Sequence, residues 1–202
     1  LDAGEKFITV QHGSGYGVLD NAWSQAVNEY STTAFLTWGW EKHGDFPGRF
    51  IKTPSPLLSK FKGKHVKKNN RVILVGTKTW VRTVRIDHAP EPNSAINYRA
   101  DKILFVKSLK KEVKNNLYYK PYTRSETNFE DEGYLSKACP DVSILKESLN
   151  KSMLNCRLVV LDHPGTSLHL AMAMGVPILC YWNDRDWLLV SSAKEFFEQI
   201  TT

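Results

Sequence analysis

The stretch RLVVLDHPGTSLHLAMAMGVPILCYWND, at residues 157–184, constrains the fold most, because it has the pattern of a strand–helix–strand unit. Its two apolar runs, 157–161 and 177–181, have the composition of strands that are buried on both faces. Between them, apolar residues recur at helical spacing, with Thr166 and Ser167 at the capping position and a glycine and a proline ending the run. Crossovers of this kind are right-handed in nearly all proteins, which predicts two parallel neighbouring strands.

The loop between the first of these strands and the helix is a candidate anion site. It leaves the carboxyl end of a strand, where ligands bind in open α/β sheets, and it opens a helix. The free N–H groups and the dipole at a helix start favour a negative charge. We therefore predict that phosphates bind to four residues of this loop: His163, Gly165, Thr166 and Ser167.

A second candidate loop, HGSGYG at residues 12–17, follows the strand-like run 7–11. Its alternating glycines allow positive φ and the close approach of a ligand, although a tight strand-to-helix turn explains them equally well. The spacing is not that of a nicotinamide-binding turn, and no acidic residue closes a second strand about twenty residues later. His12 would lie at the carboxyl edge of the sheet, where it is a candidate catalytic residue. The candidate ligand-binding residues of this loop are Gly13, Ser14, Gly15 and Tyr16.

Composition limits the class of protein. With 202 residues and 42% hydrophobic content, the chain can form a sizeable core. No apolar run is long enough to span a membrane, and the first residues lack a basic region followed by an apolar segment, so we expect neither a membrane span nor secretion. Three widely spaced cysteines favour free thiols in a reducing, cytoplasmic compartment over disulfides or a zinc site. Because the chain starts at Leu1 rather than at a methionine, we expect a fragment of a longer polypeptide.

The net charge of +6 reflects a local excess of basic residues. The segment Lys60–Arg71 holds six Lys or Arg residues and no acid. Because Phe61 is its only aromatic residue, we do not expect it to bind nucleic acid. Two hypotheses remain, a solvated loop, which we favour, and a peripheral contact with an anionic membrane.

Three further strand-like runs, 34–38, 71–76 and 116–122, bring the predicted number to six. Helical patterns separate most of them, which predicts one doubly wound, mostly parallel α/β domain of the Rossmann-like class. The longest predicted helix covers residues 92–113, a shorter one covers 143–150, and residues 41–70 are predicted to be connection and surface.

Polar side chains follow three of the predicted strands. Thr77 follows one, and Lys120 and Arg124 close the next, where an ammonium and a guanidinium can hold phosphates or simply face solvent. After the last strand, Trp182 and Asn183 either line a sugar or base pocket or cover the end of the sheet.

Several blocks of the sequence resemble a known group in order and content. They are QHGSGYG, FLTWGW, RVILVGT, HPGTSLHLAMAMGVPILCYWNDRDW and SSAKEFFEQI. Over residues 7–200 they resemble transferases from bacterial surface-carbohydrate (capsule and O-antigen) biosynthesis clusters. Those proteins are similar to GT-B glycosyltransferases, in which two Rossmann-like domains face each other across a cleft.

The resemblance implies that residues 1–202 are one Rossmann-like domain, the C-terminal donor-binding half of a longer protein. A nucleotide-sugar would be the donor, without a metal or other cofactor, and a glycan or lipid-linked glycan would be the acceptor, held largely by a preceding N-terminal domain. Lys120 and Arg124 would neutralise the diphosphate, Thr166 and Ser167 would bind it, and His12 would act as base or leaving-group stabiliser. The expected location is the cytoplasm, at the inner face of the membrane.

One position departs from the GT-B pattern. Where such helices often carry a Glu that binds the donor ribose, this chain has Leu170. The motif Asp184-Arg185-Asp186 has the D-x-D sequence pattern of a metal site, but it does not lie in the loop where such a site is expected. A glycosyltransferase is the first hypothesis, and the alternatives are a nucleotide-sugar epimerase, a polyol-phosphate transferase, or a non-catalytic nucleotide- or glycan-binding domain.

Overall fold

A computed structural model of the chain describes residues 5–21, 23–81, 94–123 and 129–200. These residues form an α/β structure with two parallel sheets, which confirms the predicted Rossmann-like fold class. The strands are β1 (Ile8–Val10), β2 (Ala34–Thr37), β3 (Phe50–Lys52), β4 (Val72–Val75), β5 (Leu117–Lys120), β6 (Ser143–Ile144), β7 (Leu158–Leu161) and β8 (Ile178–Cys180). The helices are α1 (Trp23–Gln25, continued by a π-helical turn over Ala26–Tyr30), α2 (Pro56–Ser59), α3 (Ala95–Ser108), α4 (Lys111–Lys114), α5 (Glu132–Ala138), α6 (Leu149–Met153), α7 (Thr166–Met174) and α8 (Ser191–Ile200).

The strands divide between two sheets. The larger sheet has the order β6-β5-β4-β7-β8, and the smaller has the order β1-β2-β3. Every pair of neighbours in both sheets is parallel. The predicted strand–helix–strand unit is therefore present as β7, α7 and β8, with β7 and β8 side by side. Each sheet has one carboxyl edge, at which all of its strands end.

The central strand β4 explains how the larger sheet forms its core. All four of its residues are buried. Successive side chains of a strand point to opposite faces, so Ile73 packs in one cluster with Leu168 of α7, whereas Leu74 packs in the other with Val106 of α3 and Leu135 of α5. The larger sheet is thus covered by helices on both faces, as a doubly wound fold requires.

An aromatic cluster fills the space beside the smaller sheet. Tyr30 and Phe35 are almost fully buried, with ring centroids 5.0 Å apart, and the ring of Phe50 lies 4.9 Å from that of Tyr30. Trp40 joins this cluster, while Trp38 turns away to contact His169. The two tryptophans diverge because Gly39 adopts a φ of 96°, so the backbone between them is not extended.

Three predicted segments differ from the structure. Residues 41–70 contain β3 and α2, and residues 143–150 contain β6 and only the start of α6. Neither strand has more than two consecutive apolar residues, which is too short a pattern to be recognised as a strand. The predicted helix 92–113 is interrupted because Leu109 is extended, and its first residues lie outside the described ranges. No helix in the described ranges is both long and apolar enough to cross a bilayer.

A buried histidine ties the aromatic cluster to the loop after β1. His43 is 0% exposed, and its Nε2 lies 2.6 Å from the carbonyl oxygen of Leu19, which can only accept a hydrogen bond. Nε2 therefore carries the proton, and Nδ1 accepts from the Tyr30 hydroxyl at 2.7 Å. Burial lowers the pKa of His43 below its ordinary value.

We expect the free energy of unfolding to fall as the pH is lowered below about 6.5, the ordinary pKa of histidine. In that range the unfolded chain binds a proton at residue 43, whereas the folded protein keeps His43 neutral, so added protons favour unfolding. Urea denaturation above and below this pH measures the effect. His43→Gln should be less stable at neutral pH and less sensitive to acid; an equal acid sensitivity in the variant would contradict this origin.

Candidate functional site

The loops that follow β1 and β7 meet directly. The backbone N–H of Ser14 donates to Oγ1 of Thr166 at 3.1 Å, although the two residues lie 152 positions apart in the chain. The hydroxyl of Thr166 in turn lies 3.4 Å from that of Ser14. A Cβ atom on Gly13 would lie 3.5 Å from the same Thr166 oxygen. The structure thus joins the two loops that the sequence predicts as ligand sites.

A short antiparallel bridge holds this junction in place. Leu19 pairs with Leu189, the N–H of Asp20 donates to Leu188 at 2.9 Å, and the N–H of Val190 donates to Val18 at 2.9 Å. The chain after β1 is therefore fastened to the segment before α8. This pairing keeps the carboxyl edge of the smaller sheet beside that of the larger one.

Two glycines of the first loop adopt the backbone conformations that its turn requires. Gly15 and Gly17 have φ values of 101° and 72°, in the region that favours glycine. The carbonyl of Gly15 accepts from the N–H of Leu19 at 2.9 Å, and a Cβ atom on Gly17 would lie 2.7 Å from the Trp40 ring. Gly13, by contrast, faces Thr166 across the junction.

His12, Tyr16 and Glu29 form a hydrogen-bonded chain beside the junction. The Tyr16 hydroxyl donates to Oε1 of Glu29 at 3.1 Å and lies 2.9 Å from Nδ1 of His12. Because that hydroxyl has a single proton and gives it to the carboxylate, Nδ1 of His12 must be the donor of the second bond. The tautomer with a free lone pair on Nε2 results, which is the form that can accept a proton.

These three side chains line a polar pocket of about 470 Å³. His12 is exposed at its mouth, whereas Tyr16 is only 3% exposed. Glu29 lies in the π-helical turn, and its Oε2 is buried without a hydrogen-bond partner among the described residues. Single π-helical turns often occur at functional sites, because they displace one side chain from the regular helical pattern. Ser14 also lines this pocket, so it adjoins the junction with Thr166.

The helix start at the junction differs in detail from its prediction. Thr166 and Ser167 were expected to cap α7, but Gly165 is the N-cap residue and Thr166 is the first helical residue. Gly165 has no side chain with which to cap the helix, and the Thr166 hydroxyl is turned toward Ser14 instead. The backbone N–H groups at the start of α7 therefore receive no side-chain cap from residue 165.

The sequence matches the family described as LIC12162 family transferase over residues 1–202. The chain belongs to this transferase family. A comparison with curated proteins finds no match. The family membership agrees with the predicted class of activity, group transfer.

In this transferase, His163 lies inside the protein rather than on the loop surface. It is 6% exposed, its Nδ1 lies 2.9 Å from Oδ1 of Asp162, and its ring lies 5.7 Å from that of Trp187. A Cβ atom on Gly165 would collide with the His163 ring. The glycine is therefore needed for the buried position of the histidine.

A buried ionic network lies beneath the carboxyl edge of the larger sheet of the transferase. Lys102 of α3 is 3% exposed, and its Nζ lies 2.9 Å from Oδ2 of Asp131, 3.5 Å from Oδ2 of Asp162 and 3.2 Å from the Tyr119 hydroxyl. Burial disfavours the charge of Lys102, but the negative charges of Asp162 and Asp131 outweigh it and raise the lysine pKa. Burial likewise opposes the Asp162 carboxylate, but the charge of Lys102 and the hydrogen bonds from His163 and Tyr98 together outweigh it and lower the pKa of Asp162.

Glu29, Lys102 and Asp131 were not predicted as site residues from the sequence. A signal was present for two of them. Lys102 lies at helical spacing between the buried residues Tyr98 and Val106. Glu29 lies three positions after Ala26 and directly before the buried Tyr30. A charged residue on the apolar face of a helix indicates a buried partner, but nothing in the sequence names that partner.

Lys120 and Thr77 lie at the same carboxyl edge but apart from the junction. Lys120 is on β5, which β4 separates from β7, and its Nζ donates to the carbonyl oxygens of Glu147 at 2.8 Å and Leu145 at 3.4 Å. Thr77 follows β4, between these two strands. Arg124 lies outside the described residues.

Trp182 and Asn183 follow β8 and line a pocket of about 590 Å³ beside α3. One side of the Trp182 ring contacts Phe197 of α8 edge to face, with centroids 5.4 Å apart. Leu170 is 7% exposed and packs into the core on the α7 face, whereas the neighbouring His169 contacts Trp38. The described residues contain no group of three His, Cys, Asp or Glu side chains arranged to hold a metal ion.

Replacing Thr166 by Val should lower the free energy of unfolding by about 1 kcal/mol, because the Ser14 N–H loses its partner while the shape of the side chain is kept. Urea denaturation measures this change, and hydrogen exchange should show faster exchange of the Ser14 amide. Ser167→Ala, at the next position, is the control and should change stability by less than about 0.5 kcal/mol. Unchanged exchange at Ser14 in Thr166→Val would contradict the role of the junction.

Proposed function

We propose that this transferase moves a sugar from a nucleotide-activated donor to a surface glycan. The observation that carries the proposal is the direct contact between the His12 loop and the start of α7 through Ser14 and Thr166. It brings a helix start, which favours phosphates, next to a histidine whose Nε2 is free to accept a proton. The proposed reaction requires both phosphate binding and proton transfer.

The donor diphosphate would lie at the start of α7. The backbone N–H groups of Thr166 and Ser167 and the hydroxyl of Ser167 would bind its oxygens, and the helix dipole would favour its charge. These groups would bind more strongly as negative charge grows on the departing diphosphate, which is how such a site lowers a reaction barrier. Lys120, Thr77 and Arg124 belong to the proposed donor site as well; Lys120 would have to exchange its bonds to two backbone carbonyls for phosphate.

His12 would act on the acceptor. An acceptor hydroxyl would give its proton to Nε2 of His12 while its oxygen forms a bond to the anomeric carbon of the donor sugar. The bond from that carbon to the phosphate oxygen would break, and the diphosphate would leave with the electron pair. Tyr16 and Glu29 would hold His12 in the required tautomer and favour the imidazolium that forms. The proposed acceptor is a glycan or lipid-linked glycan, with part of its site on a preceding domain.

Nucleotide binding tests the donor site. We expect one of UDP, CDP, GDP or CMP to stabilise the chain in a thermal-shift assay and NAD to have no effect. Replacing both Thr166 and Ser167 by Ala should weaken binding of that nucleotide by roughly tenfold, since the Ser167 hydroxyl contact to a charged phosphate and the Thr166 bond that positions the loop are lost. His12→Gln is the matched control in the neighbouring loop and should bind the nucleotide as the wild type does.

The same variants separate transfer from other functions of the site. The substrate for this assay is the nucleotide-sugar that corresponds to the nucleotide that binds. His12→Gln should release or transfer its sugar at least about 100-fold more slowly than the wild type. Nucleotide binding without any turnover of the nucleotide-sugar would indicate a non-catalytic binding domain. Inversion of the sugar without its release would indicate an epimerase, and release of a polyol phosphate would indicate a polyol-phosphate transferase. Unchanged nucleotide affinity in the double alanine variant would remove the start of α7 from the site.

We also propose that the transferase contacts an anionic membrane through the basic segment at residues 60–68. Five lysines of this segment are exposed and have no carboxylate partner within the described residues: Lys60, Lys62, Lys64, Lys67 and Lys68. Backbone bonds from Gly63 to Ala173 and from Val66 to Leu154 fix the segment at the end of the domain opposite the candidate site. Arg71, in contrast, is paired with Glu147 at 2.7 Å and does not belong to this surface.

Replacing Lys62, Lys64 and Lys67 by Gln should reduce binding to phosphatidylglycerol vesicles by roughly tenfold or more, as each lysine near such a surface contributes about 1 kcal/mol. Vesicle co-sedimentation measures this, with phosphatidylcholine vesicles as the uncharged comparison. The charge-matched control replaces three other exposed lysines: Lys110, Lys111 and Lys137. Equal loss in both triple variants would mean that net charge, and not this segment, determines binding.

A further inference from the structure

A second pocket, beside α3, lies on the other face of the larger sheet from α7. Its residues come from α3 and from the chain after β7 and β8. Val106 of α3 packs on the face of Leu74 and Val160, whereas Leu168 of α7 packs on the opposite face. The pocket is therefore separated by the sheet from the helix to which the donor phosphates are assigned. Its volume, about 590 Å³, is sufficient for one sugar ring with its substituents.

Aromatic rings form the walls of this pocket. The rings of Phe105 and Tyr181 stack with centroids 4.4 Å apart and an interplanar angle of 14°. Trp182 and the buried Tyr98 complete the aromatic lining. The faces of such rings carry negative electrostatic potential, so they attract a cation that lies against them.

Three carboxylates add negative charge to the same pocket. They belong to Asp101, Asp162 and Asp186, and none of the described lining residues is Lys, Arg or His. Lys102 lies beneath the pocket, but it is 3% exposed and is already paired with Asp131 and Asp162. The lining therefore repels anions and favours a positively charged ligand.

The hydroxyl of Tyr181 is buried at the pocket and has no hydrogen-bond partner within the described residues. Oδ2 of Asp162, in contrast, lies 3.5 Å from Nζ of Lys102, and the carboxylate is hydrogen-bonded to the Tyr98 hydroxyl. Native proteins rarely leave a buried hydroxyl unsatisfied, so a ligand with N–H or O–H donors fits the Tyr181 oxygen. The carboxylates of Asp101 and Asp186 are the further acceptors that the pocket offers to such a ligand.

We propose that this pocket binds a primary ammonium group carried by a ring-shaped ligand, such as a sugar with a free amino group. The aromatic walls face the ring and the charge, and the carboxylates accept the N–H bonds. A quaternary ammonium ion has the charge but no N–H, so it cannot donate a hydrogen bond to the Tyr181 hydroxyl or to the carboxylates. If the proposed glycosyl transfer is correct, an amino sugar of the acceptor glycan is the source of this group.

The test measures binding of glucosamine to the chain by calorimetry. N-acetylglucosamine is the uncharged comparison ligand, and choline is the quaternary ammonium comparison ligand. We expect glucosamine to bind more tightly than either by roughly tenfold or more, since charge-assisted hydrogen bonds are lost in both comparisons. Asp101→Asn combined with Asp186→Asn should weaken glucosamine by a similar factor. Asp162 is left unchanged because it belongs to the buried network.

The control variant combines Asp141→Asn with Asp184→Asn, which removes the same charge from exposed residues that do not line the pocket. It should bind glucosamine like the wild type, and circular dichroism should show that both double variants are folded. No binding of glucosamine, equal binding of N-acetylglucosamine or choline, or equal loss in the control would overturn the proposal. Nucleotide binding is measured separately, so failure here is distinguishable from failure of the proposed transfer.

Discussion

Parallel pairing of β4 with β7 is the constraint on which the rest of the structure depends. Val75 is in register with both Leu161 and Lys120, so the chain leaves three neighbouring strands at one level. Every loop that carries a candidate residue of the larger sheet must start at this edge. A strand so completely buried has few other ways to satisfy its backbone groups, and the position of the polar side chains follows from the pairing of the apolar ones.

Sequence patterns predict the strands that have continuous apolar runs and the helices that have a clear apolar period. The unit around α7 is an example, because β7 and β8 are apolar, the helix between them has a clear period, and Gly175 ends it with a φ of 80°. The edge strands β3 and β6 are not recognised because neither has more than two consecutive apolar residues, whereas the edge strand β8 is apolar throughout. The division of the strands between two sheets was also not foreseen, because apolar patterns encode burial but not the identity of a strand's neighbours.

Prediction from the sequence has the same limit for the side chains of the candidate site. His12, Ser14 and Thr166 follow strand ends, and this position alone is enough to select them from the sequence. The partners Glu29, Lys102 and Asp131 lie within helices or loops, and their contacts join parts of the chain that are far apart in sequence. Charge on an apolar helix face indicates that a partner exists, but only the packing of α3 against the sheet identifies Asp131 and Asp162 as that partner.

The direction of the Glu29 side chain depends on the number of residues in the π-helical turn at Ala26–Tyr30. A turn of this kind contains one residue more than an α-helix would need to cover the same distance. Deleting one residue before Glu29 would restore the regular helix and rotate the carboxylate by about 100° around the axis, away from Tyr16. A relative that lacks one residue in this helix would therefore keep the same histidine and tyrosine but lose the acid that orients them.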